Sequence, residues 1–223
     1  MSRSEREAGF AALVVHELRS PLAAMIGAAR MLRARWPELD DAGRESLLAL
    51  LADESGRVER LLADLQDTSR VSAGGFAYEF AELDPSRLVE EAVVAARASA
   101  GGVSVQARLD GPPVLIRGDA GRMRQALDNL IGNAVKVSPP GAEVEVAAES
   151  RAGALRISVR DSGPGVVAAD RERIFEAFEQ AGNRPGAGLG LHVARAIAEA
   201  HGGAVEVDSA PDGGAIFALV FPV

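Results

Sequence analysis

The chain has no cysteine among its 223 residues, which excludes a disulfide framework and any thiolate metal site and fits a reducing cytoplasm. No apolar run approaches the ~18 residues that span a bilayer, and Met1-Ser2-Arg3-Ser4-Glu5 does not open a secretory signal. The expectation is a cytoplasmic segment without membrane contact of its own, even if the full-length protein is membrane-anchored. There is no G-x-x-x-x-G-K-[ST] loop, no dinucleotide fingerprint, no internal repeat and no low-complexity tract. A formal net charge of -8 argues against nucleic acid, whose phosphates demand a basic face. Only three histidines are present, so each is worth placing.

The first of them sits in Val14-Val15-His16-Glu17-Leu18-Arg19-Ser20-Pro21-Leu22, beside a carboxylate and one turn before a proline. Val15, Leu18, Leu22, Met25, Ala29 and Leu32 recur in steps of three and four, which predicts the a/d seam of a helix packed on other helices. His16 falls just off that seam and is expected in solvent. Pro21 cannot donate to the Glu17 carbonyl, which loosens the helix beside the imidazole.

The helical pattern runs from about Arg3 to Arg35 and stops at Trp36-Pro37; Asp40 or Asp41 then caps a second helix reaching about Val71. That helix carries Leu47, Leu51, Val58, Leu62 and Leu65 on one face. Two long helices and a short turn make an antiparallel hairpin that buries a single stripe, so a homodimeric four-helix bundle is expected. We place the hairpin at 1–72, a linker at 73–76 around Gly74-Gly75, and a second domain at 77–223.

In that second domain the periodicity changes. Strands are predicted at Ala77–Leu83, at Val103–Leu109 and Val114–Arg117 around Gly111-Pro112-Pro113, at Glu143–Ala148 and Leu155–Val159 around Gly153, and at Val205–Val207 and Ile216–Phe221. Helices are predicted from Pro85 to about Ala100, from Asp119 with the apolar face Met123, Ala126, Leu127, Leu130, Ile131 and Ala134, and from Leu189 to Ala200. The mixture predicts an α/β sandwich with helices on one face of a largely antiparallel sheet.

Four features of this domain carry chemistry. Asn129 and Asn133 are four apart, so their amides share one side of a helix, with Lys136 three residues on. Amide oxygens are hard ligands suited to Mg²⁺, and the lysine suits phosphate. Asp161 ends a strand and is followed by Gly163 and Gly165; such a carboxylate can accept from the exocyclic amino group of adenine while glycines admit the flat base. Gly186-Ala187-Gly188-Leu189-Gly190-Leu191 opens a helix, an anion cradle of backbone N–H groups. Ile174-Phe175-Glu176-Ala177-Phe178 reads as packing, His192 as a surface residue and His201 as structural.

The run His16–Leu22 resembles the phosphoacceptor box of sensor histidine kinases, and Arg122–Lys136 resembles the N box of that family. Asp161-Ser162-Gly163-Pro164-Gly165, the Ile174–Phe178 run, Gly186–Leu191 and His201-Gly202-Gly203 follow in the family's order, so the resemblance covers about Phe10 to the C-terminus. It implies a Bergerat-type ATP-binding domain related to those of gyrase and Hsp90. It also implies autophosphorylation of His16 by ATP with Glu17 as base, and Ser20 at the position that orients water for regulator dephosphorylation. Asn133 and Asn129 would hold Mg²⁺, Lys136 phosphate and Asp161 adenine, while Gly186, Gly188, Leu189 and Gly190 form the lid over the phosphates. The phosphoryl group would pass to a response-regulator receiver domain in a two-component phosphorelay. Ser20 stands for the commoner threonine, and Val137 replaces the aromatic that commonly follows the lysine. One rival is an ATP-hydrolysing machine of the gyrase or Hsp90 type, which carries a water-activating glutamate where this chain has Asn129; the other is a catalytically decayed dimeric scaffold that binds a response regulator.

Overall fold

The computed structural model describes residues 3–72, 77–110, 114–151, 153–177, 179 and 188–223, with side chains described outside 3–13, 16, 71–72 and 151. They fall into two compact units, Met1–Ser69 and Arg70–Val223. The first unit is built from α1 (Arg3–Arg35) and α2 (Asp41–Ser72). Asp40 is the cap of α2, its Oδ1 accepting from Gly43 N–H at 2.8 Å. Arg44 closes the turn by donating to the Trp36 carbonyl at 2.9 Å and lying over the indole, 4.8 Å from its centroid. α1 continues through Pro21 without a break.

The inward face of α1 is Val14, Leu18, Pro21, Met25, Ala28 and Leu32, and that of α2 is Leu47, Leu51, Glu54, Val58, Leu61, Leu65 and Thr68. Both sets repeat in alternating steps of four and three, the heptad of paired helices. The expected seam of α1 therefore divides. Leu18, Met25 and Leu32 turn inward, whereas Val15 (54 % exposed), Leu22 (44 %) and Ala29 lie on a second stripe. On α2, Leu62 is a correction: Leu61 takes the inward position, and Leu62 stands 46 % exposed about 100° round the helix. Glu54 and Thr68 occupy inward positions with polar side chains and so hide the register from a reading of apolar spacing.

The second unit is a sheet covered on one face by helices. Its five strands are β2 (Ser104–Asp110), β4 (Glu143–Arg151), β5 (Ala154–Arg160), β6 (Ala204–Ser209) and β7 (Ala215–Pro222), ordered β2-β4-β5-β7-β6. Only β2 and β4 run parallel; the other neighbours are antiparallel. Val144 and Val146, then Leu155, Ile157 and Val159, then Phe217, Leu219 and Phe221 alternate onto the covered face. Against them pack α3 (Pro85–Arg97), α4 (Ala120–Val137) and α5 (Gly190–Ala200). All six residues of the apolar face read on α4 are buried.

Two short strands, β1 (Ala81–Leu83) and β3 (Ile116–Gly118), form a separate antiparallel pair. The strands flanking Gly111-Pro112-Pro113 thus go to different sheets, and the turn itself lies outside the described residues. The strand expected from Ala77 is shorter than read. Glu79 N–H donates to Asp119 Oδ2 at 2.9 Å, and the Tyr78 and Phe80 rings pack on His201, with centroids 5.5 and 4.9 Å away. His201 is structural as expected. Its Nε2 accepts from Asp119 N–H at 2.9 Å and its Nδ1–H donates to the Ile197 carbonyl at 2.8 Å, which fixes the neutral tautomer.

Candidate active site

α4, the end of β5 and the start of α5 bring the second unit's polar residues together. Asp119 caps α4, its Oδ1 accepting from Arg122 N–H at 3.0 Å. Burial alone would raise the Asp119 carboxyl, but hydrogen bonds from the Glu79, Arg122 and Gly121 backbones and the Arg122 charge outweigh it and hold the group below the usual aspartate range. About three and four turns along, α4 turns Asn129 and Asn133 to the same side. The Asn129 amide Nδ2–H donates to the Gly190 carbonyl at 3.1 Å, tying α4 to the first turn of α5. Asn133 Nδ2 is buried without a hydrogen-bond partner among the described residues. Lys136, the single lysine of the chain, follows in the last turn of α4.

Asp161 is fully buried just past β5. Its Oδ1 accepts from Gly163 N–H at 2.8 Å and from Ala215 N–H at 3.1 Å, while Asp161 N–H donates to the Ala215 carbonyl at 2.9 Å. Its Oδ2 is buried and has no partner among the described residues. A charge in that position is costly unless something donates to it. The glycines around it are required by contact. A Cβ on Gly163 would stand 2.7 Å from Val137 Cγ2, and one on Gly214 would stand 2.0 Å from the Asp161 carbonyl oxygen, at a φ of +88°. Gly165 has a φ of +75° and leaves 3.1 Å between its Cβ position and the Gly214 carbonyl. Val137 therefore seats the Asp161–Gly163 turn directly.

At the start of α5, Gly188 adopts a φ of +67°, and Leu189 is buried and caps the helix with no side-chain hydrogen bond. The cap side chain thus leaves the first-turn N–H groups unoccupied, and a helix start of this kind is where an anion is received. Gly186 lies outside the described residues, as does Phe178. Ile174 and Phe175 are core, as expected, with Phe175 edge-on to Phe217 at 6.3 Å. His192 is a correction. It is half-buried, and its Nδ1 lies 3.2 Å from the Phe175 carbonyl.

In the first unit, His16 lies on the α1 backbone, with its side chain outside the described set. Ser20 follows one turn later and is exposed. Glu17 turns inward, its side chain only 17 % exposed, and faces Arg57 of α2 at 3.8 Å; Arg57 also stands 4.0 Å from Glu54. Arg57 was not legible as Glu17's neighbour, because the two meet only when α2 folds back on α1. The contribution of Gly214 and Ala215 to Asp161 was equally hidden, its one sequence signal being the Gly213-Gly214 pair before β7.

Residues 6–74 match the His Kinase A (phospho-acceptor) domain, and residues 118–223 match the histidine kinase-, DNA gyrase B- and HSP90-like ATPase domain. The chain belongs to the sensor histidine kinases. It carries their catalytic core, a phosphoacceptor hairpin followed by an ATP-binding domain. The histidine protein kinase DivJ of Caulobacter vibrioides is 34 % identical over 223 residues, 97 % of this chain and 37 % of DivJ. The sensor-like histidine kinase SenX3 of Mycobacterium tuberculosis is 32 % identical over 96 % of this chain and 53 % of SenX3. The crystal structure of full-length ShkA in complex with AMPPNP superposes with a TM-score of 0.68 at 34 % identity, covering 96 % of this chain and 45 % of ShkA. The core thus spans about a third to a half of the length of these relatives. No helix among its described residues is long and apolar enough to cross a membrane.

Proposed function

We propose that the chain, as one half of a homodimer, phosphorylates itself on His16 with ATP and passes the phosphoryl group to an aspartate on a response-regulator receiver domain. The observation that carries this reading is Asp161, a fully buried carboxylate with one oxygen held by two backbone N–H groups and the other without a partner. That idle oxygen is an acceptor for the exocyclic amino group of adenine, while guanine would present an oxygen there. The donor set fits a nucleotide with its cation. The unpartnered Asn133 amide, the open first turn of α5 and the Lys136 ammonium suit phosphate oxygens, and the Asn133 and Asn129 carbonyl oxygens suit Mg²⁺. When bound, Mg²⁺ neutralises charge on the phosphates.

In the transfer step a neutral imidazole nitrogen of His16 attacks the γ-phosphorus. The N–P bond forms as the P–O bond to ADP breaks, and Glu17 orients the ring and takes its proton. Ser20, one turn on, positions water for the reverse traffic, dephosphorylation of the regulator. His16 and the ATP site belong to different units, and the linker read at 73–76 lies outside the described residues. The exposed Val15, Leu22, Ile26, Leu48 and Leu62 provide apolar surface for a second hairpin to cover. The test is a chase: chain labelled with γ-labelled ATP and Mg²⁺ is mixed with receiver domains. Label that leaves the chain and appears on one receiver as an acyl phosphate supports the proposal. A chain that binds a receiver but never takes label is the decayed scaffold instead.

A further inference from the structure

His192 is the one histidine that neither the phosphoacceptor box nor the structural cage around His201 absorbs. It lies in the first turn of α5 and reaches back 17 residues to the Phe175 carbonyl, 3.2 Å from its Nδ1. A carbonyl only accepts, so Nδ1 carries the proton and the bond is Nδ1–H···O=C. Phe175 ends the 3₁₀ turn Arg173–Phe175, where a terminal carbonyl has no following N–H of its own turn to receive.

Both partners are anchored independently. Phe175 is 5 % exposed and edge-on to Phe217, and α5 is buried through Val193, Ala194, Ile197 and Ala198. The imidazole therefore joins the first turn of α5 to the 3₁₀ turn that ends at Phe175. It does so on the same turn whose Gly190 carbonyl receives the Asn129 amide and whose N–H groups the cap side chain leaves unoccupied. A hydrogen bond that fixes the first turn of α5 leaves less motion there for a ligand to remove on binding.

We propose that His192 is a positioning residue for nucleotide. Its Nδ1–H bond to Phe175 fixes the first turn of α5 and so the backbone donors that receive phosphate. The role rests on the ATP reading above, and His192 touches no reacting atom.

The test uses the full chain with Mg²⁺ and a fluorescent ATP analogue, alongside thermal unfolding of each variant. His192→Ala is expected to weaken binding about five- to tenfold, the loss of one hydrogen bond and its ordering. His192→Asn, which keeps an N–H at the δ position, is expected to recover affinity to within about twofold of native. Labelling at saturating ATP should stay within about twofold for both variants, so that KM moves and kcat does not. Native affinity in His192→Ala overturns the proposal, as does His192→Asn binding no better than alanine when both unfold at the native temperature. Absence of nucleotide binding by the native chain overturns the ATP reading itself, and this role with it.

Discussion

Asp161 concentrates the residue-scale account, because a single atom of it is left for a ligand. In Asp161→Asn the amide oxygen can still accept from Gly163 and Ala215, but an N–H donor replaces the idle acceptor. ATP affinity is expected to fall at least about tenfold with little change in unfolding, measured by nucleotide titration beside calorimetry. An unaltered affinity would remove Asp161 from base recognition. The residue was legible as a strand-end carboxylate before glycines, whereas its partner Ala215 lies 54 residues away and could not be read from local sequence. Asp119 gives the pH dependence. Its folded pKa is lowered, so the stability it contributes is present above the unfolded aspartate value of about 4 and is lost as pH falls through the lower folded value. Asp119→Asn keeps a capping oxygen but removes the titration. It should flatten this part of the acid limb of stability against pH, read by denaturant unfolding between about pH 5 and 3.

At the scale of elements, long segments with uninterrupted apolar faces were legible and short ones held by distant contacts were not. α4 came through with its whole face, because every inward position is apolar. β1 came through as three residues, because Tyr78, Glu79 and Phe80 are engaged by His201 and Asp119 instead of a neighbouring strand. The glycines sort in the same way. A Cβ at Gly203 would stand 2.2 Å from the Val220 carbonyl oxygen, and at Gly214 the φ of +88° adds backbone strain to a 2.0 Å contact. Gly214→Ala is expected to cost about 2–4 kcal/mol of stability. Gly27, in α1 with nothing within 4 Å of its Cβ position, should behave oppositely. Gly27→Ala is expected to stabilise the hairpin by about 0.5–1 kcal/mol through helix propensity. Urea unfolding of both variants checks the contrast, and equal losses would contradict it.

For the whole molecule, two stripes about 60° apart on α1 explain why one seam was read where two exist. The spacing of Leu18, Met25 and Leu32 reports the fold of one chain, while Val15, Leu22 and Ala29 report a surface to be covered. Ile26, 51 % exposed on that side, is the place to test assembly. Ile26→Glu should shift the chain from dimer to monomer in sedimentation at micromolar concentration, and a monomeric native chain would refute the expected bundle. The order of boxes along the sequence was legible, but the tie from His192 to Phe175 and the ion pair from Arg57 to Glu17 required the chain to fold.

The central claim is phosphorylation of His16, and it meets its most direct test in incubation with γ-labelled ATP and Mg²⁺, native chain beside His16→Gln. Acid-labile, alkali-stable label is expected on the native chain and none on the variant. Label that persists in His16→Gln, or a native chain that binds ATP and never becomes labelled, would contradict it.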